Sequence, residues 1–150
     1  MPEFRRATVS EIDPLTLYRI LWLRVSVFVV EQKAAYPEVD GRDIEPGAEL
    51  LWCEEDRAIV ATLRILRDDT AMRIGRVATA ESARGRGYAA ELMRAAIERC
   101  RELEPGLHIH LDAQTQLEHW YERFGFLRSG SPYEEDDIPH IPMTLAVRPQ

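Results

Sequence analysis

The six residues Arg84-Gly85-Arg86-Gly87-Tyr88-Ala89 form the segment best suited to bind an anion. They fall between an apolar run ending at Thr79 and an amphipathic stretch, where the unpaired N–H groups and the dipole of a helix N-terminus favour negative charge. Gly85 and Gly87 permit close backbone approach, and Arg84 and Arg86 place two positive charges beside it. The implied chemistry is phosphate binding, and the plainer alternative is a glycine turn with solvated arginines. A Walker A loop is excluded because neither glycine precedes a lysine. A dinucleotide fingerprint is matched formally by Gly85, Gly87 and Ala90, with Asp112 downstream. Against it, Ala80 to Arg84 separate the first glycine from the strand end, and little chain follows Asp112 for further parallel strands. It stands second among enzyme readings.

Two other clusters invite chemistry. His108, His110 and Asp112 alternate along one segment as metal ligands might be sought, but a straight strand spreads positions i and i+4 about 13 Å apart, too far for one ion. No metal site is expected. Six acids lie between Glu31 and Glu49 against Lys33 and Arg42, and Glu134 to Asp137 are four consecutive carboxylates next to His140. Such runs are ordinarily solvated loops, yet converging on one cleft they would attract a cationic amine.

The elements that must position these residues follow from spacing. Phe4 to Val9 reads as an edge strand; Asp13-Pro14 opens a helix whose Leu17, Ile20, Leu21, Arg24 and Phe28 recur at helical spacing to about Val30. Glu31 to Glu49 is a long irregular connection, a candidate substrate loop. Leu50 to Glu54, Ala58 to Leu66 and Ala71 to Thr79 predict an antiparallel meander. Ala89, Leu92, Met93, Ala96, Ile97 and Cys100 make the apolar stripe of a helix stopped by Pro105-Gly106. A strand over Leu107 to Ala113, a short helix from Gln116 to Phe124, and a last strand pair, Phe126 to Gly130 and Ile141 to Val147, complete a mixed α+β sandwich. Trp22, Trp52 and Trp120 read as core or pocket wall, and Cys53 and Cys100 as buried thiols.

Length and composition bound the answer. A chain of 150 residues, 45% hydrophobic and 30% charged, fits one globular domain. Its net charge of −7 repels a phosphate backbone, so nucleic acid is not an expected partner. The longest apolar run, Leu15 to Val30, is broken by Arg19 and Arg24, which argues against a membrane span. The N-terminal residues lack a secretory pattern, so the expected location is cytoplasmic.

Four blocks in order resemble one family. Val77-Ala78-Thr79 followed by Arg84-x-x-Gly87-x-Ala89 resembles the acyl-CoA motif of the GCN5-related N-acetyltransferases, the GNAT family. Gln114, Tyr121 and Phe124-Gly125-Phe126 resemble its second motif, with Gln114, Leu117 and Trp120 as departures. Val27 to Gln32 with Tyr36, Asp40 and Gly41, and then Tyr133 to Met143, resemble the ElaA-like subgroup. The resemblance implies a central mixed, mostly antiparallel sheet flanked by helices and splayed at the cofactor site. It also implies acetyl-CoA as co-substrate and a small-molecule or peptide amine as acceptor. An edge strand near the C-terminus would support a homodimer.

Moving an acetyl group from a thioester to an amine needs a held donor, a neutral amine, a polarised carbonyl and a protonated leaving thiolate. On the family pattern the backbone of Val77, Ala78 and Thr79 holds the pantetheine arm, with Gln114 nearby, and Arg84 to Ala89, Tyr88 included, hold the pyrophosphate. Tyr121 is the expected general acid, since a phenol titrating near 10 can protonate a thiolate. On pattern alone the better reading is a core tyrosine sharing a helical face with Leu117 and Phe124, and only the resemblance reverses that order. Glu31, Asp40, His110, Asp112 and His140 are candidate bases; His140 is placed first, and Glu31 and Asp40 are expected to bind the amine. Two other classes remain open, an acyl-CoA binding module without turnover and an acidic scaffold that binds a protein.

Overall fold

The computed structural model describes residues 1–147. Strand β1 is Glu3–Ala7. Helix α1, Pro14–Arg24, starts where expected: the Asp13 carboxylate caps it by accepting the Thr16 N–H at 3.0 Å, with proline at its first position. Val25–Glu31 continues as a wider π-helix, in which the Gln32 N–H reaches the Val27 carbonyl at 3.1 Å. The valines that obscured this boundary in the sequence therefore remain helical to Glu31.

Strands β2 (Glu49–Glu55), β3 (Ala58–Arg67) and β4 (Ala71–Thr79) form the antiparallel meander. Helix α2 is Tyr88–Leu103 and β5 is His108–Gln114. Helix α3 is only Glu118–Glu122, preceded by a 3-10 turn, so it is shorter than its apolar spacing suggests. Then come β6 (Leu127–Arg128), β7 (Tyr133–Glu135) and β8 (Ile138–Leu145). The predicted last pair omitted β7. A tight hairpin joins β7 to β8 through Asp136 and Asp137, both at positive φ, without the glycine that usually announces such a turn.

The strands form one open sheet in the order β1-β2-β3-β4-β5-β8-β6, with β7 also on β8; only β4 and β5 run parallel. Both faces are covered. Leu51, Cys53, Leu63, Ile65 and Ile74 pack under α2 with Leu92, Met93 and Ile97. Leu50, Trp52, Ile59 and Ala78 pack on the opposite face under Ile20, Leu23 and Val27. Trp52 is buried in this second core and Trp120 packs beside Tyr121, whereas Trp22 is 67% exposed, a correction to its reading as core. Both cysteines are free and buried.

The sheet contains two local departures that make the site. Parallel pairing of β4 with β5 covers only Ala71–Arg73 against His108–His110, after which the two strands diverge. Between Thr62 and Arg64 of β3 the opposing β4 residues jump from Ala78 to Gly75, a bulge holding Arg76 at φ +53°. From Ile74 onward one edge of β4 has no strand partner.

Candidate active site

A cavity of about 540 Å³ occupies this gap. It is lined by Gly75, Arg76 and Val77 of the bulge, Leu111, Asp112 and Gln114 of β5, Tyr121 of α3, Tyr36 and Asp40 of the long loop, and His140 of β8. Tyr121 belongs to the core under α2, while Arg64 and Phe28 line the cavity from the α1 face. The opening thus runs through the sheet from one face to the other.

The predicted residues fall into two groups. Val77, Gln114, Tyr121, His140 and Asp40 converge on the cavity; the glycine loop, with Glu31 beside it, lies outside its lining. Ala78 and Thr79 pair with Thr62 and Ala61 of β3, with the Ala78 side chain in the core. Gln114 donates to the Gln32 side chain across the gap at 2.9 Å and accepts from Gln116 at 2.8 Å.

Tyr121 is 6% exposed, edge-on to Trp120 and Phe126. Burial alone pushes its phenol above the ordinary value, so it stays protonated well past neutrality. His140 stacks on Tyr133, and its Nδ1 lies 2.7 Å from the Ile138 carbonyl. A carbonyl only accepts, so Nδ1 carries the proton and Nε2 of the neutral ring keeps a lone pair.

In the glycine loop Gly85 and Gly87 adopt φ +80° and +82°, and open space surrounds the position of a Cβ at each. Glycine is therefore required there by backbone conformation, not by crowding. Gly87 caps α2 without any side-chain acceptor for the first-turn N–H groups, which fits an exogenous anion. The two arginines are not free charges, as the sequence suggested. Arg84 grips both oxygens of Glu31 at 3.1 and 2.9 Å, and Arg86 grips both of Glu55 at 2.7 and 2.9 Å. Tyr88 also donates to Glu55, at 2.7 Å.

The acidic loop differs most from expectation. All six acids from Glu31 to Glu49 are engaged by arginines: Glu31 by Arg84, Glu45 by Arg42, Glu49 by Arg99, and the other three in a closed ring. Arg24 binds Glu38 and Asp43, each at 2.7 Å; Arg64 binds Asp40 at 2.9 Å and Asp43 at 3.4 Å; Arg76 binds Glu38 at 3.0 Å and Asp40 at 3.1 Å. Charges alternate around this ring of six, and Arg24 is 1% exposed. Burial would raise the Asp40 pKa, but the Arg64 hydrogen bonds and the Arg42 N–H outweigh it and hold the carboxyl below its ordinary range. Glu31 and Asp40 are each held by arginine, Glu31 outside the cavity lining and Asp40 on it, so a cationic amine at either would compete with these ion pairs. The sequence reading placed Arg24 on an apolar helical face, a signal that it must be paired inside; its partners were too distant in sequence to infer.

His108 and His110 bond to the Val147 N–H at 2.8 Å and to Thr144 Oγ1 at 2.6 Å, and Asp112 binds Arg73 at 2.8 Å. Among the described residues no group of three potential ligands is placed to hold a metal ion.

The splayed strand pair and the glycine turn opening α2 are the features the GNAT resemblance implied; the bulge beside them was not anticipated. The acetyltransferase (GNAT) domain family matches residues 24–147, and the chain belongs to this family, whose members use acyl-CoA. It is 37% identical over 150 residues to Protein ElaA of Escherichia coli, covering 98% of each chain. It is also 38% identical over 144 residues to a UPF0039 protein of Mycobacterium tuberculosis, covering 93% of this chain and 90% of the relative. The solved acyl-CoA N-acyltransferase from Pseudomonas aeruginosa superposes with a TM-score of 0.92 at 36% identity, covering 97% of this chain and 100% of that one. The family and a single parallel strand pair argue against the dinucleotide reading.

Proposed function

We propose that the protein is an acetyl-CoA-dependent N-acetyltransferase that moves the acetyl group directly to a primary amine. The observation that carries this reading is the cavity running through the sheet: a thioester entering from the α2 face would meet an amine entering from the α1 face at the unpaired edge of β4. The first-turn N–H groups of α2, with Gly85 and Gly87, hold the pyrophosphate. Backbone groups on the open edge of β4 between Val77 and Thr79 receive the pantetheine arm, displacing Arg84 Nε from the Thr79 carbonyl where that acceptor is needed, and Gln114 borders the arm. An N–H on that edge polarises the thioester carbonyl.

His140 Nε2 accepts a proton from the ammonium form of the acceptor, directly or through one water, and so frees the lone pair of the neutral amine for attack. The amine nitrogen bonds to the acyl carbon, the C–S bond breaks, and the O–H of Tyr121 is offered to the departing thiolate. A phenol kept protonated by burial donates a hydrogen bond to sulfur as its charge develops; as its proton passes to the thiolate, the proton lost from the amine nitrogen on amide formation replaces it, so no buried phenolate persists. Because the loop acids are neutralised, the acceptor is selected by fit and not by a negatively charged cleft. Among the described residues no helix is long and apolar enough to cross a membrane.

Calorimetric titration with acetyl-CoA, with NADH and ATP as controls, tests the reading. Saturable acetyl-CoA binding that is lost in Gly87→Asp, followed by turnover on an amine panel, is expected. Binding without turnover on any amine would favour an acyl-CoA sensing module, and absence of binding would remove the acetyltransferase reading.

A further inference from the structure

Residues 36–40 contribute Tyr36, Pro37 and Asp40 to the cavity, yet they lie in a loop with no strand or helix of its own between Gln32 and Arg42. A segment of this kind must be held by side chains: Arg24 holds Glu38, Arg64 holds Asp40, and Arg76 reaches four of its residues at once. Arg76 sits at the β4 bulge between Gly75 and Val77, which border the gap. Its guanidinium lies 5.0 Å above the Tyr36 ring, 3.0 Å from the Glu38 carboxylate and 3.1 Å from that of Asp40, and donates to the carbonyls of Pro37 and Glu38 at 3.4 and 3.3 Å. Four loop residues are therefore tied to one side chain that starts from the strand bordering the reacting centre. That side chain starts from a left-handed backbone, which costs a non-glycine residue on the order of 1 kcal/mol and is retained here by these ties.

We infer that Arg76 is a positioning residue that holds residues 36–40 as one wall of the α1-side entrance, narrowing the access of water to the thioester. The inference rests on the acyl-CoA reading above. Without the wall, water replaces the amine as nucleophile. Its oxygen bonds to the acyl carbon, the C–S bond breaks, and the proton released by water ends on the thiolate, giving acetate and free CoA.

The test compares wild type, Arg76→Gly and Arg76→Lys. Glycine adopts the left-handed conformation freely, so Arg76→Gly keeps the bulge while removing the ties that Arg76 makes, leaving Arg24 on Glu38 and Arg64 on Asp40. Three quantities are read: backbone hydrogen exchange of residues 34–42 without ligand, acetyl-CoA affinity by calorimetry, and thiol release from acetyl-CoA without any amine. In Arg76→Gly the loop is expected to exchange at least tenfold faster, affinity to stay within about twofold, and thiol release to rise at least fivefold. Arg76→Lys, which keeps the charge but not the fork, should fall between the two. A gain in hydrolysis at unchanged affinity is not the signature of a merely damaged fold. Unchanged loop exchange, or faster exchange with no rise in thiol release, overturns the inference while leaving the acetyltransferase reading intact. Failure of wild type to bind acetyl-CoA overturns both.

Discussion

At the residue scale, chemistry is set by what burial does to individual groups. Tyr121 keeps its proton because its surroundings cannot solvate a phenolate. Tyr121→Phe preserves the ring contacts with Trp120 and Phe126 and removes only the O–H, so kcat should fall on the order of 10²-fold with acetyl-CoA affinity unchanged. Steady-state kinetics beside calorimetry separates the two quantities, and unchanged turnover would reject the acid role. The cysteines show the same physics without function. Burial pushes the thiols of Cys53 and Cys100 up to about 11 and about 12, so thiolate is scarce at neutral pH. Iodoacetamide at pH 8 should leave both unmodified in the native protein and alkylate both in denaturant, as intact mass would report.

At the element scale, two short departures from regularity create the site: the bulge that interrupts β4, and the left-handed glycines that open α2. The glycine loop was legible in the sequence because its chemistry is local; a strand, a glycine turn and a helix N-terminus are consecutive along the chain. Gly87→Ala tests it narrowly. A Cβ there meets open space, so the substitution costs only its backbone strain, on the order of 1–2 kcal/mol. Relief of that strain re-aims the first-turn N–H groups, and acetyl-CoA affinity should drop at least tenfold while circular dichroism is unchanged. The β7–β8 hairpin was not legible, because Asp136 and Asp137 take positive φ without the Asn-Gly or Asp-Gly pair that signals a two-residue turn.

Across the whole molecule, the ring of three arginines and three carboxylates joins α1, β3, the β4 bulge and the long loop into one unit. Asp40→Asn leaves Arg64 and Arg76 short of a counter-charge. The expected loss is about 2 kcal/mol, less than for a wholly buried pair, because the Asp40 side chain keeps 19% of its surface in water. The sign with pH follows from its lowered pKa. The stabilisation is fully present above the unfolded carboxylate value near 3.9 and fades as pH falls toward the lower folded value. Chemical denaturation should therefore show a constant gap between wild type and Asp40→Asn from pH 7 to about 5, narrowing below about pH 4. A gap that stays constant at pH 3 would show that Asp40 does not carry that stabilisation.

The sequence by itself determined the meander, the two main helices, the anion-binding turn and the family, since each depends on periodicity or on groups a few residues apart. It also set Arg24 among the apolar residues of one helical face, without indicating its partners. Only the tertiary structure decided that the loop acids are paired with arginines, that Glu31 meets Arg84, and that Tyr121 and His140 border one opening through the sheet. Ion pairs join residues as far apart as Glu31 and Arg84, and which carboxylate meets which guanidinium is fixed by strand register and helix packing, not by spacing along the chain.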